Sequence, residues 1–540
     1  MRLHKHNQAH LAGFLLCLAG AKAQLQYGEN QRGTIKDSDI VASAFPDVDI
    51  QLLSPAFTNP ETTPSGWSNG TDGPTSLTVL DHFYRTLADR NDWLTYQHAE
   101  FLSEEGRSIP YLFLSDPSQE AKNETKLKVY IQAAIHGDEP AADQSVMALL
   151  GKMDANQTWT ASLLEKMDIK VLPRYNVDGV EYFQRQLASN LDPNREHLKL
   201  ARQQSRDIKG VFMDFSPHIS IDMHEFTAPT IYGGDYQHGA DALISGGINP
   251  NIHPAIRSQV LDVFIPAMGE RLESHGLRWE PYVTGSSNTT SGSRIVFEEA
   301  VTEARTGRNA YGLTQTISFL CEMRGIRLAN QHFQRRTATA LLKIEAILET
   351  ARDQFDSVYS TVERAREEFI NGNEDIVITD YFTLTNRTFT MVDRNNGSIV
   401  QVPIDFYVTT PSIANLTRAR PEAYLIPRTW VDVVDRLRNY GLEVQTLDYE
   451  YRGTVEALNI TSSELASTLY EGAVLNTVTT EPYEREVHLP AGSFMVSTRQ
   501  KNAALAFITL EPENIDSFVT FNLIPMEEGD EYPVFRIAAT

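Results

Sequence analysis

The stretch Lys128-Val-Tyr-Ile-Gln-Ala-Ala-Ile-His-Gly-Asp-Glu-Pro140 decides the reading of this chain. Its first eight residues are apolar at most positions and carry valine, isoleucine and tyrosine, the pattern of a strand buried on both faces. Pro140 opens a run to Met153 that predicts a helix, because proline is tolerated in a first helical turn. Between the two stand His136 and Glu139, where a strand gives way to a helix. Polar groups at that edge of an open α/β sheet face the crevice in which ligands gather.

Outward from this stretch the alternation recurs. Residues 111–114, 167–172, 219–221 and 317–322 read as further strands, while 335–348 read as a helix. A helix begins at Leu77, with Leu80, Phe83, Tyr84 and Leu87 spaced for one face. Near-continuous apolar strands between helices predict an α/β sheet covered on both sides. Residues 24–75 are rich in turn formers and predict an irregular N-terminal segment. The texture changes again near residue 350. A charged connecting helix over 351–370 leads to alternating strands at 377–392, 442–447, 483–489, 494–496 and 504–510, with a helix at 430–440. The expected organisation is therefore an α/β domain over 76–350 and a β-rich accessory domain over 371–540.

The chain carries 71 acidic and 47 basic residues, a formal charge of -24. Nucleic acid is excluded as an expected partner, since phosphate binding needs a basic footprint. Residues 1–23 have a basic start at Arg2 and Lys5, an apolar run, and Ala21-Lys-Ala23, which together read as a secretory signal peptide too short to span a membrane. No later segment reads as a membrane anchor. A secreted, extracellular glycoprotein is expected, with N-glycan acceptors at Asn69, Asn123, Asn156, Asn288, Asn386, Asn396, Asn415 and Asn459. Cys17 would leave with the signal, so Cys321 remains alone and no intrachain disulfide is expected. Cys321 reads as a small buried hydrophobe.

The chemistry begins with Ile221-Asp-Met-His224, which follows a strand-like run and adds a second imidazole. His136, Glu139 and His224 make the two-histidine, one-carboxylate set of a catalytic zinc site that keeps a position open for water. Either histidine alone reads as a loop or core-edge residue. Glu322 ends an apolar strand, and a carboxylate beside metal-activated water takes a proton as that water attacks a carbonyl. The residues leave a second reading open for Glu322, an ion pair with Arg324 or Arg327.

The ordered set His136-x-x-Glu139, Asn176-Val-Asp-Gly179, Asp192-Pro-Asn-Arg195, His224 and Phe319-Leu-Cys-Glu-x-Arg324 resembles the M14 zinc carboxypeptidase (carboxypeptidase A) family over roughly residues 75–350. The resemblance implies a mixed eight-stranded sheet flanked by helices, one zinc ion per chain, and removal of amino acids from peptide or protein C-termini. It implies that His136, Glu139 and His224 hold the metal and that Glu322 is the catalytic glutamate. Arg185 matches the arginine that polarises the scissile carbonyl, with Arg174 as a local competitor. Arg195 matches the arginine that grips the substrate's terminal carboxylate, a task suited to a planar guanidinium, and Asn194 assists it. Asp192 matches the carboxylate that orients His136.

Two features depart from the family pattern. Glu225-Phe226 follows the third ligand, placing extra acidity beside the pocket in a way that favours a basic substrate side chain, and Asn-Val-Asp-Gly replaces Asn-Pro-Asp-Gly. Neither Tyr311, only eleven residues before Glu322, nor Tyr282, just before the loop at 285–293, is placed as the family's substrate-capping tyrosine. Two other functions fit parts of the pattern: a zinc amidase or deacylase acting on small acyl-amino acids, and a non-catalytic binding protein retaining the fold.

Overall fold

The computed structural model describes residues 25–117 and 125–539, so residues 1–23, expected to be a signal peptide, and the expected acceptor Asn123 lie outside the described residues. Strands numbered along the chain fall into three sheets. The first consists of β1 (Leu94–Leu102), β2 (Ser108–Leu114), β3 (Leu127–Ala133), β4 (Met167–Leu172), β5 (Ile219–Thr227), β7 (Ala242–Gly246), β8 (Trp279–Pro281) and β11 (Ile317–Ile326). Its order is β1-β2-β4-β3-β5-β11-β7-β8. The central neighbours β4, β3, β5 and β11 run parallel, and the flanks are partly antiparallel, giving the expected mixed eight-stranded sheet.

Alternation along the central strands divides the core. Val129 and Ile131 of β3, Ile221 and Met223 of β5, and Phe319 and Cys321 of β11 pack with the helices Pro140–Ala155 and Phe333–Asp353 on one side. Tyr130 turns to the other side, against Ile208 and Phe212 of the helix Gln203–Phe215 and against Tyr311. Residues of odd and even number thus serve different faces, and Asp222, His224 and Glu322 stand on the face opposite Cys321.

The second sheet joins β6 (Tyr236–His238), β9 (Val283–Thr284), β10 (Val296–Glu299), β12 (Ile376–Asp393) and β13 (Ile399–Arg418). β12 pairs with β6, and β13 pairs with β10, so strands from both sides of residue 371 share one ladder. Phe297, Phe389, Met391, Ile404 and Phe406 fill its core together. The third sheet, β14 (Ala423–Ile426), β15 (Gln445–Thr446), β16 (Tyr451–Tyr470), β17 (Ala473–Leu489), β18 (Phe494–Ser497) and β19 (Phe535–Ile537), belongs wholly to the C-terminal region.

Three local readings change. β5 continues to Thr227, so His224 lies within a strand rather than after it, because β11 pairs with that segment along its length. Residues 504–510 are part of a buried helix, Ala503–Leu510, rather than a strand. A run apolar at every position but Thr509 has no period to separate the two. Of residues 442–447 only Gln445–Thr446 form a strand. The N-terminal segment has short helical turns and no strand between residues 25 and 75. Asp37 clasps it to the sheet by accepting from both terminal nitrogens of Arg324 at 2.6 and 2.9 Å.

Candidate active site

β3 ends at Ala133, and a left-handed residue, Ala134 at φ 50°, turns the chain into His136-Gly-Asp-Glu139. Gly137 is required there, because a Cβ would lie 2.0 Å from the backbone of Gly179. That contact seats the loop on the Asn176–Gly179 turn, which Asn176 closes by accepting from the Gly179 amide at 2.8 Å. Asn176 also donates to the carbonyls of Arg185 and Gln186 at 3.2 and 3.0 Å. The turn motif therefore positions two parts of the site at once.

His136, Glu139 and His224 are buried, with one donor atom from each lying within 4.8 Å of the others. Both histidines turn Nδ1 inward, His136 at 2.7 Å from Glu139 Oε1 and His224 at 3.0 Å from Glu139 Oε2. Each outer nitrogen meets a carboxylate: Asp192 Oδ1 lies 3.1 Å from His136 Nε2, and Asp222 Oδ2 lies 3.0 Å from His224 Nε2. Two imidazoles and a carboxylate, with each ring oriented by an outer acid, fit a zinc ion in donor type and in outer support. Burial pushes the Glu139 carboxyl up, but the adjacent His136 and His224 outweigh it and hold the group well below the usual carboxylate range.

Glu322 faces His224 directly across the parallel pairing of β11 and β5. The spacing of Glu322 and His224 is thus the spacing of two central strands. Burial raises the Glu322 carboxyl to about 7, with His224 opposing the rise and Glu139 adding to it. Its Oε2 has no hydrogen-bond partner among the described residues, while Lys343 Nζ donates to its main-chain carbonyl at 2.7 Å. The alternative ion pairs do not form: Arg324 holds Asp37, and Arg327 donates to the Gly33 carbonyl at 2.9 Å.

Arg185 donates through Nε and Nη2 to Asp192 at 3.0 and 2.8 Å, leaving Nη1 3.1 Å from His136 Nδ1 and 3.3 Å from Glu139. Arg174 is buried elsewhere, bound to Asp143 at 2.5 Å and to the Thr75 carbonyl at 3.0 Å. Arg195 and Asn194 follow Asp192 in a 3-10 turn, Pro193–Arg195. Asp192 Oδ1 accepts from the Asn194 amide at 2.8 Å, and the Asn194 carbonyl accepts from Arg195 Nη1 at 2.9 Å. Arg185, Asn194, Arg195 and Glu322 line one cavity of about 420 Å³ with His136 and Glu139.

Two sequence expectations meet different surroundings. Glu225 lines the cavity, but Arg336 donates to both its oxygens at 2.7 and 2.9 Å, and the Ala141 amide donates at 3.2 Å. Its charge is balanced within the protein and gives no free acidity for a basic substrate side chain. Tyr311 is buried, donating to Gln132 at 2.8 Å and stacked on Phe212, whereas Tyr282 lines the cavity. Asp222 was missed by the sequence reading. Its signal was present: it lies two residues before His224, hence on the same face of one strand. Gln132 fixes its other oxygen by donating at 2.9 Å.

Residues 82–218 match the zinc carboxypeptidase family. Carboxypeptidase 2 of Trichophyton equinum is 53% identical over 518 residues, 95% of this chain and 96% of that protein. Carboxypeptidase 2 of Trichophyton rubrum is 52% identical over the same shares. Among solved structures, a metallo-carboxypeptidase from Burkholderia cenocepacia aligns with a TM-score of 0.41 at 17% identity, over 52% of this chain and 70% of its own. The chain belongs to the M14 zinc carboxypeptidase family. It is a metallocarboxypeptidase, a hydrolase of peptide C-termini, and the acyl-amino-acid and non-catalytic readings fall behind this one.

Proposed function

We propose that the protein binds one zinc ion through His136, Glu139 and His224 and uses it to release C-terminal residues from peptides or proteins. The observation that carries this reading is the convergence of the three donors at a cavity that also holds Arg195 and a Glu322 whose Oε2 has no hydrogen-bond partner among the described residues. Zinc supplies, when bound, a Lewis acid that polarises a carbonyl and acidifies water. Glu322 accepts the water proton and returns it to the leaving amine, a role suited to a carboxylate held near neutrality by burial. Arg185 presents Nη1 to the scissile carbonyl oxygen. Arg195 pairs with the terminal carboxylate, with Asn194 beside it, and makes the enzyme an exopeptidase. Asp192 orients His136, and Asp222 does the same for His224.

Secretion and N-glycosylation belong to the same proposal. The leader-like residues 1–23 support export, and Asn69, Asn386, Asn396 and Asn415 are exposed acceptors. No helix among the described residues is long and apolar enough to cross a membrane.

C-terminal product analysis on a mixed peptide library tests the reading. Free-ended peptides should lose single terminal residues, a chelator should stop the reaction, and zinc should restore it. Matching C-terminally amidated peptides should be poor substrates. Equal cleavage of acids and amides would remove Arg195 from its role, and faster cleavage of acyl-amino acids than of blocked dipeptides would favour a deacylase.

A further inference from the structure

The C-terminal region reaches the active site through one turn. β16 and β17 form a long hairpin joined by Glu471 and Gly472, with Tyr470 paired to Ala473. Both loop residues have positive φ, 46° for Glu471 and 79° for Gly472. A two-residue turn of that kind favours Asn-Gly or Asp-Gly, because the left-handed region strains most side chains and is open at low cost only to glycine and to the short, locally bonding Asn and Asp. Gly472 meets the demand. Glu471 does not, and a strained residue kept at a site is grounds for asking what it does there.

Its contacts answer the question. Glu471 Oε2 accepts from the Asp192 amide at 2.7 Å, and its main-chain carbonyl accepts from Lys199 Nζ. Asp192 is the hub of the loop side of the site, since its carboxylate meets His136, both Arg185 nitrogens and the Asn194 amide. The same loop is gripped twice more from the C-terminal region: Arg436 donates to the Lys199 carbonyl at 2.9 Å, and Tyr440 donates to that of Leu198. Beside Glu471, Tyr470 lines the catalytic cavity, with the Arg305 guanidinium 4.9 Å from its ring. Arg305 is fixed in turn by Asp516 at 2.5 Å and the Ile515 carbonyl at 2.7 Å.

We propose that the hairpin tip is a working part of the active site: Glu471 is a positioning residue that sets Asp192, and through it His136 and Arg185, while Tyr470 forms a wall of the substrate cavity. Asparagine at 471 suits the turn but is one methylene too short for the same reach. Glutamine keeps the reach and an oxygen that accepts from the Asp192 amide. The strain of a glutamate in the left-handed region is thus offset by a contact that a turn-optimised residue does not make. The inference rests on the site reading above.

The test compares Glu471→Asn, Glu471→Gln and Tyr470→Ala in the full-length zinc enzyme. Glu471→Asn should keep or raise the melting temperature yet lower kcat by about tenfold and speed zinc release to a chelator by a similar factor, at the low end for outer-shell partners. Glu471→Gln should recover most of both losses. Tyr470→Ala should act on KM instead, raising it about three- to tenfold, the scale of one aromatic contact. Parent kcat and parent zinc release in Glu471→Asn would overturn the positioning role, as would equal losses in Asn and Gln. An unchanged KM in Tyr470→Ala would overturn the wall. If Glu471→Asn melts lower, Glu471→Gly, which needs no strained Cβ, carries the same comparison with the same outcomes. A parent protein that cleaves no free-ended peptide would instead sink the site reading, while zinc release would still judge Glu471.

Discussion

The two sides of the catalytic cavity are built by different means. On one side His224 and Glu322 sit opposite each other on neighbouring central strands, with Asp222 on the same face. Their separation is a sheet spacing, and the surrounding strands are buried throughout. On the other side Asp192, Asn194 and Arg195 occupy a short turn whose shape depends on Glu471, Arg436 and Tyr440 from the C-terminal region. In the proposed mechanism the proton chemistry falls to backbone that cannot shift without breaking the sheet, and the grip on substrate to backbone that is propped. Strand-side substitutions should therefore strike turnover, while on the loop side Arg195 should govern recognition and Asp192, with Glu471 behind it, should reach turnover and metal retention through His136 and Arg185.

The largest effect is expected where the two sides meet. His136→Ala removes a donor and should take bound zinc from about one per chain to none, with activity lost, as metal analysis and peptide assay will show; stoichiometric zinc in the variant would undo the ligand assignment. Next, Glu322→Gln keeps the shape of the strand side and removes its base. Rate should fall at least about a hundredfold with zinc retained, and near-normal turnover would move the base elsewhere.

Arg195→Ala probes the loop side. It should cost about ten- to a hundredfold in kcat/KM on free-ended peptides, the range of a hydrogen bond to a charged group, and change amidated peptides little. A uniform loss on both would mean that Arg195 acts on turnover and not on the terminal carboxylate. Cleavage of the chain between residues 365 and 375 asks whether a separate accessory module begins at 371. Modularity requires an N-terminal fragment that folds alone and retains zinc and activity; the shared second sheet leads us to expect two fragments that stay together and lose zinc when parted.

The smallest effect on catalysis is expected from Asp37→Asn, because Asp37 lines neither side of the cavity. Burial raises the Asp37 carboxyl, but Arg324 and His332 outweigh it and hold the group well below its ordinary range. A depressed carboxyl contributes stability that is present at neutral pH and lost as pH falls from about 4 toward the folded value. Asp37→Asn should leave kcat nearly unchanged, destabilise the fold by about 3 kcal/mol at pH 7 by leaving Arg324 unpaired, and show a weaker acid dependence of stability than the parent. Identical denaturation midpoints at pH 7 would remove the clasp from the account of stability.

The same division explains what the sequence disclosed. Lys128–Glu139 and Ile317–Glu322 announce themselves because buried strands write their environment into consecutive residues, and the ligands follow at fixed offsets. Asp222 was equally legible by two-residue periodicity, although the resemblance drew attention to Asp192 alone. Glu225 misled, because its partner Arg336 lies on a distant helix. Glu471 was out of reach for the same reason: it meets Asp192 across 279 positions of chain. The buried helix Ala503–Leu510 had no polar residues on one face to mark its period.

Cys321, beside Glu322 in β11, points to the opposite face and is fully buried. The only other cysteine, Cys17, precedes the expected start of the mature chain. A thiol reagent in water can reach the Cys321 sulfur only when the packing of β11 against the helices Pro140–Ala155 and Phe333–Asp353 opens, so its rate of modification under native conditions reads the opening free energy of the layer behind Glu322. The enzyme thus contains its own strain gauge, positioned one residue from the chemistry and usable without substrate, metal or an introduced label.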